Sequence, residues 1–267
     1  MRSLAAILFV YFLTATLLFA QGEINDQEKI FFRNERTFAV TISTNGYGLN
    51  YRYAKRLDAR RKTLYELGIG QIKHEKEYKI SDYNSQSLGG SYVYGKLNSL
   101  FYVRLGIGFQ KELYRKEDRG GISIRYFYNF GPSLGLQKPV YYDVQVYDFD
   151  QNGQPIYVRK RMKYEEHIYT IERKAPFYVG FSELTLVPGV YGKLGFTFEF
   201  SKADEVFNAI EVGIIADAYI KKIPIMDNSH NHFIFPGAYV SYRFGKIIDS
   251  QFTGRGRGKV DELLSDD

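Results

Sequence analysis

The segment Val190–Phe200 alternates strictly between apolar and polar residues. Leu194 and Phe196 belong to one set of alternate positions, the apolar beat, whereas Lys193 and Thr197 belong to the other set, the polar beat. Because successive side chains of a β-strand point to opposite faces, the pattern predicts a strand with one apolar and one polar face. The same pattern recurs over residues 100–110, 122–130, 134–146, 210–218 and 234–244, with weaker copies at 64–73 and 92–97.

The chain begins with Met1-Arg2, an apolar run over residues 4–19 and then Ala20-Gln21. This arrangement is typical of a secretory signal peptide. The alternative is an uncleaved anchor helix, but the run is shorter than the ~20 apolar residues that span a bilayer. We therefore expect a signal peptide over residues 1–20.

No apolar run after the signal peptide approaches the length of a membrane helix, so any membrane crossing would have to be made by strands. Repeated amphipathic strands behind a signal peptide predict an all-β fold: an antiparallel, transmembrane, up-and-down β-barrel of about ten strands (roughly 8–12) with long outer loops, in the outer membrane. We expect an N-terminal segment with a short first strand over residues 21–36, the barrel over 37–245 and a flexible periplasmic tail over 246–267.

The apolar beat changes parity at Asn45-Gly46. Asn-Gly favours a two-residue hairpin turn, and it is equally consistent with a bulge that inserts one residue. We favour one long bulged strand over residues 38–53, because two strands of about seven residues would be short for a crossing that needs ~9–11.

The connections sort into short ones, at residues 97–100, 131–133 and 201–205, and long ones, at 74–90, 147–188 and 221–232. Placing the short turns in the periplasm makes the strand at Phe38 run downward. An upward strand must then precede it, and we assign it to Glu28–Arg33 with a turn at Asn34-Glu35. In the largest loop, Val140–Phe149 and Pro155–Tyr164 predict a hairpin.

The polar beat carries glycines and isolated charges, which suit a narrow barrel interior better than a solvated outer face. A soluble lipocalin-like barrel is the alternative. Buried charges should pair across the lumen. They could line a pore or fill the interior of a small barrel, and we favour the second interpretation. The charged residues assigned to this network are Arg52, Glu66, Arg104, Arg125, Lys193, Glu199, Glu211, Asp217 and Arg243.

Two loop segments are candidate metal sites. Asp148, Asp150 and Asn152 match the opening of a calcium loop, but Arg159 stands where the closing Glu belongs, so a hairpin turn is the favoured reading. Asp227, His230 and His232 form a candidate transition-metal site. We expect no cofactor, with calcium as the one candidate.

The absence of cysteine excludes disulfides, thiolate zinc sites, cysteine nucleophiles and lipoprotein anchoring. The net charge of +6 suits anionic lipid head groups, and the chain lacks the concentrated basic stripe of a nucleic-acid-binding protein. His167 follows Glu165-Glu166 with no Ser beside it, and neither the His-x-Ser pair of lipid A deacylases nor the Asp-His pair of omptin proteases occurs. We expect no enzymatic activity.

Six short strings are distinctive as a set: residues 44–48 (TNGYG), 93–98 (VYGKLN), 118–121 (DRGG), 131–135 (GPSLG), 138–141 (KPVY) and 223–226 (IPIM). Together they resemble an uncharacterised outer-membrane β-barrel family of Bacteroidota. The resemblance runs from about Phe31 to Lys246. It implies a barrel and a membrane location, and it carries over no functional residues.

Together these observations predict a small, largely closed outer-membrane barrel that acts as a binding or docking component of the cell surface or of an outer-membrane assembly. The expected partners are outer-membrane lipid and other outer-membrane proteins, and no nucleic acid. The alternative is a narrow solute channel, and a less favoured one is a membrane-embedded hydrolase acting on lipid or peptide.

Overall fold

The computed structural model describes residues 33–81, 91–116, 120–149, 153–165, 171–202, 205–227 and 231–249. Eight antiparallel strands form a closed barrel in which each strand pairs with its neighbour along the chain and the first pairs with the last. The barrel strands are β1 (Arg33–Ser43), β2 (Gly46–Arg56), β3 (Arg61–Ile72), β6 (Asn98–Tyr114), β7 (Ser123–Pro139), β11 (Thr185–Glu199), β12 (Val206–Tyr219) and β13 (Ile234–Asp249). The predicted signal peptide, residues 21–32 of the predicted N-terminal segment and residues 250–267 of the predicted tail lie outside the described residues. Residues 246–249, which were assigned to the tail, belong to β13.

Five short strands and a 3₁₀ turn lie in the connections between barrel strands. In the β3–β6 connection, β4 (Lys79–Ser81) pairs with β5 (Ser91–Val93). In the β7–β11 connection, β8 (Tyr141–Phe149), β9 (Pro155–Lys163) and β10 (Ile171–Lys174) form a sheet in the order β10-β8-β9, followed by the 3₁₀ turn Phe181–Glu183. We call it the loop sheet; it contains the predicted hairpin.

The barrel therefore has eight strands, which is the lower bound of the expected range of 8–12, and the central expectation of about ten was too high. The predicted strand 122–130 and the first part of the predicted strand 134–146 share the continuous strand β7, in which Pro132 pairs with Val190 of β11. Residues 141–146 of the predicted strand 134–146 belong to β8 of the loop sheet. The predicted strand at residues 92–97 contributes only β5, which pairs with β4 outside the barrel.

The favoured bulge at Asn45-Gly46 is also wrong. Thr44 and Asn45 form a two-residue turn between β1 and β2, so that Phe38 lies opposite Tyr51 and Ile42 lies opposite Tyr47. The change of parity is what such a turn produces, because facing residues then have numbers of opposite parity. Each strand is 11 residues long and so meets the length requirement.

The predicted turn at Asn34-Glu35 does not form, because both residues belong to β1. The strand at Phe38 thus runs toward the long connections, opposite to the predicted direction. We call the end with the turns 57–60, 115–122 and 200–205, where β1 starts and β13 ends, the turn end. The other end carries the turn 44–45 and the connections 73–97, 140–184 and 220–233, and we call it the loop end.

The barrel wall has a continuous apolar outer surface. Across β11, β12 and β13, the outward side chains Phe196, Val212 and Val240 are neighbours in register, and each is more than two-fifths exposed. Near the turn end, outward aromatic rings contact one another, as in the pairs Phe38–Tyr51 at 5.1 Å and Phe109–Tyr128 at 5.7 Å between ring centroids. The described part of the chain has no helix that is long and apolar enough to cross a membrane.

The glycines of the polar beat lie inside, where they make room for inward tyrosines. Gly195 and Gly213 face each other across β11 and β12. A Cβ on Gly213 would lie 2.1 Å from the Leu194 carbonyl oxygen and 2.9 Å from the Tyr239 hydroxyl. Backbone atoms cannot move away cheaply, so this position has no space for a side chain.

We expect Gly213→Ala to lower the free energy of unfolding by about 1–3 kcal/mol, the usual cost of overpacking. Gly192→Ala is the matched control, because a Cβ on outward Gly192 would meet nothing within 4 Å. Urea titration followed by circular dichroism measures both. Equal stability of the two variants would contradict the packing described for Gly213.

Candidate functional site

The middle of the barrel interior contains a cluster of five charged side chains, which we call the central layer: Arg52, Glu66, Lys193, Glu211 and Arg243. Arg52 donates to Glu66 at 2.6 Å and also to Glu211. Arg243 donates to Glu211 at 2.9 and 3.1 Å. The Lys193 ammonium lies 3.2 Å from Glu66 and 3.8 Å from Glu211. Three cations therefore share two carboxylates, and the side chains come from five strands around the barrel.

A second cluster, the turn-end layer, is formed by Glu35, Lys62, Lys116, Arg125 and Glu199. Arg125 donates to Glu35 at 2.9 Å and also to Glu199. Lys62 pairs with Glu35, and Lys116 pairs with Glu199 at 3.0 Å. This layer joins strands that are far apart in sequence, and it obstructs the lumen beneath the central layer.

Toward the loop end, Arg104 forms a two-pronged pair with Asp217, with Nε donating at 2.8 Å. The guanidinium carbon lies 3.5 Å from the ring centroid of Tyr102, and Ser133 donates to Asp217 at 3.2 Å. Contact with an aromatic face stabilises the guanidinium. Because Arg104 on β6 and Asp217 on β12 meet across the lumen, the pair forms a third obstruction, which we call the loop-end layer.

An apolar plug closes the loop end above these layers. The β12–β13 connection turns Ile223 and Ile225 inward, where both are fully buried with Leu100 and Phe235. The plug is held by backbone hydrogen bonds, because the amides of Leu97 and Asn98 both donate to the carbonyl of Ile225, at 2.9 and 3.2 Å. Ions entering the lumen from this end would meet packed hydrocarbon before they reached the three charged layers.

All nine charged residues assigned to the lumen from sequence are buried in the barrel interior, and each pairs with an opposite charge. Glu35 and Lys62 also belong to the network and were missed, as was Lys116. Glu35 was assigned to a turn. Extending the alternation of Thr37 and Thr41 backwards along β1 would have placed the Glu35 side chain inside the barrel. Lys116 lies two residues beyond the end of β6, where alternation gives no signal.

The outer face of the loop sheet is held by ion pairs. Asp143 on β8 accepts from Arg161 on β9 at 2.9 Å and from Arg173 on β10 at 3.1 Å. Burial raises the pKa of Asp143, but the hydrogen bonds and charges of the two arginines outweigh it and hold the pKa below its usual value. The opposite face of the sheet packs Tyr142 and Val144 into an apolar cluster. The loop sheet is thus a packed structure rather than an open loop.

The described parts of the candidate metal sites do not assemble a ligand set. Asp148 lies 3.6 Å from the Lys160 ammonium, whereas Asp150 and Asn152 lie outside the described residues. His232 stacks on His74 with ring centroids 6.2 Å apart, and His230 is not described. Within the described ranges, no group of three His, Asp or Glu residues could hold a metal. Both sites stay predictions.

Comparisons with known proteins add little to this geometry. No family model and no curated protein sequence matches the chain, so membership of a Bacteroidota barrel family stays a prediction. Among solved structures, it is similar to Ail of Yersinia pestis in complex with the heparin analogue sucrose octasulfate (8% identity, 81% of this chain and 99% of that chain, TM-score 0.38). It is also similar to Neisserial surface protein A (8% identity, 80% and 96%, TM-score 0.35) and to the N-terminal β-barrel domain of Pseudomonas aeruginosa OprF (8% identity, 81% and 97%, TM-score 0.34).

Glu211 is the acceptor on which the central layer depends, so we expect Glu211→Gln to lower the free energy of unfolding by about 3–5 kcal/mol. The reason is that three buried cations would then share one carboxylate. Asp148→Asn is the control, because it removes a carboxylate that is exposed and loosely paired. Urea titration measures both variants. A loss for Glu211→Gln no larger than that of the control would mean that the central layer does not stabilise the barrel.

Proposed function

We propose that the protein is a small, closed outer-membrane β-barrel whose loop end acts as a binding or docking surface. The observation that carries the proposal is the reversal of polarity across the wall. Over the middle of the strands the outward side chains form an apolar band, whereas the charged side chains at that level face the interior. A soluble barrel would have to expose this band to water, whereas lipid is the solvent that an apolar outer face requires.

The filled lumen supports docking over transport. Three charged layers and the apolar plug lie in series between the two ends of the barrel. An eight-stranded barrel has an interior that side chains alone can fill. The lumen of this protein therefore acts as a rigid core.

The loop end offers the larger structured surface. The loop sheet and the β4–β5 hairpin share an apolar cluster, since Tyr92 and Leu97 pack against Tyr142 and Val144. A preformed surface loses little conformational entropy on binding, which favours recognition.

We expect the protein to fractionate with the outer membrane and to migrate differently in gels before and after boiling. Val212→Arg should strongly reduce assembly, because Val212 is in the middle of β12 and an Arg facing mid-bilayer lipid costs ~2–4 kcal/mol. Phe149→Arg on the loop sheet is the control, since Phe149 is exposed away from the barrel wall. Recovery of a soluble, detergent-independent monomer, or equal assembly of the two variants, would refute the membrane location.

We expect the wild-type protein to show no large steady conductance in planar bilayers. Arg104→Ser combined with Arg125→Ser should raise the leak, because it removes a cation from the loop-end layer and one from the turn-end layer. The matched control replaces the exposed Arg159 and Arg161 of the loop sheet with Ser. Stable, porin-like openings of the wild type in single-channel recordings would contradict the closed barrel and favour the solute channel.

A further inference from the structure

Lys138 is a buried lysine for which the described residues supply no anionic partner. It lies near the loop end of β7, and only 3% of the residue is exposed. Its ammonium lies 5.1 Å from the ring centroid of Phe177 and 5.2 Å from that of Phe181. Among the described residues, no carboxylate pairs with it. Burial of an unpaired ammonium is costly, and contact with two rings offsets only part of that cost.

Two further lysines, Lys96 and Lys174, are the charged neighbours of Lys138, and Lys79 is in turn a charged neighbour of Lys174. Burial, reinforced by the charges of Lys96 and Lys79, lowers the pKa of Lys174. Glu77, the acid of this group, is bound to Lys96. The lysine cluster, Lys79, Lys96, Lys138 and Lys174, therefore has an excess of positive charge that an anion would neutralise.

The cluster adjoins the outer wall of the barrel. Lys138 has the outward parity of β7, together with Leu134 and Leu136. The segment 176–183 covers it from outside: Phe177 contacts the outward ring of Phe101 with centroids 5.9 Å apart. The covering aromatic residues project further outward, since Phe177, Tyr178 and Phe181 are 60%, 72% and 43% exposed.

We propose that the lysine cluster binds the phosphate of a lipid headgroup in the outer leaflet. This inference rests on the proposed function, and the loop end lies at the outer leaflet because outer-membrane barrels place their short turns in the periplasm and their long loops outside. Lysine binds phosphate as a point charge. Exposed aromatic rings occupy the headgroup region of membranes. The phosphate supplies the negative charge that pairs with the Lys138 ammonium. Phe177 and Phe181 then lie beside the acyl chains.

The test uses the full mature chain in detergent, with native mass spectrometry to count bound lipid. The probes are lipid A with both phosphates, lipid A without phosphates, and inorganic phosphate. We expect one phosphorylated lipid A to be retained by the wild type. Lys138→Met combined with Lys174→Met should weaken retention at least tenfold, and Lys160→Met combined with Lys222→Met, which removes the same charge elsewhere, should not.

Equal retention by both double variants, or equal retention of lipid A with and without phosphates, overturns the proposal. Inorganic phosphate that competes with lipid A at equal concentration also overturns it, because the site would then be one for a soluble anion.

Two controls keep the result interpretable. Without lipid A, Lys138→Met should unfold at the same or a higher urea concentration than the wild type, because it removes an unpaired buried charge. A purely structural lysine would give a lower one. The gel shift on boiling reports the membrane barrel independently, so a normal shift with unchanged lipid retention rejects the lysine cluster alone.

Discussion

The pairing of charges inside the barrel is the interaction on which the rest of the structure depends. Each of the eight strands alternates polar and apolar side chains, and closure directs the polar set into a space too narrow for bulk water. Charges confined there are tolerable only if they find opposite charges and hydrogen-bond partners. Glu211 satisfies Arg52 and Arg243 at once, and Arg125 links Glu35 to Glu199. The same contacts that hold the strands in register also fill the lumen.

Toward the loop end and in the loop sheet, apolar packing takes the place of charge pairing. Above Arg104 and Asp217 the interior becomes apolar, and Ile223 and Ile225 complete it with hydrocarbon rather than charge. The loops that cap the barrel then have a core of their own. Because the interior is packed from one end to the other, the surfaces left for recognition are the loop end and the outer wall near it. Lys138 lies at the junction of these two surfaces.

Sequence reasoning failed where local signals were ambiguous between turn and strand. Gly131-Pro132-Ser133 has turn residues, yet it lies within β7 because β6 and β11 pair with residues on both sides of it. At Asn45-Gly46 the parity change indicated the turn correctly, and the length argument wrongly overrode it. Underestimating the lengths of β1 and β2 caused that error, because Glu35 and Ala54 extend the alternation beyond the apolar residues.

The sequence by itself determined the all-β fold, the two faces of each strand and nine of the charges that lie inside, because period-two alternation is a local property that survives any register. It also placed the hairpin of the loop sheet. Only the tertiary structure decided the number of strands, their direction and the partners of each charge. These depend on pairing between residues such as Arg52 and Glu211, which are 159 positions apart. That no carboxylate in the described part of the chain pairs with Lys138 could likewise be recognised only from the folded structure.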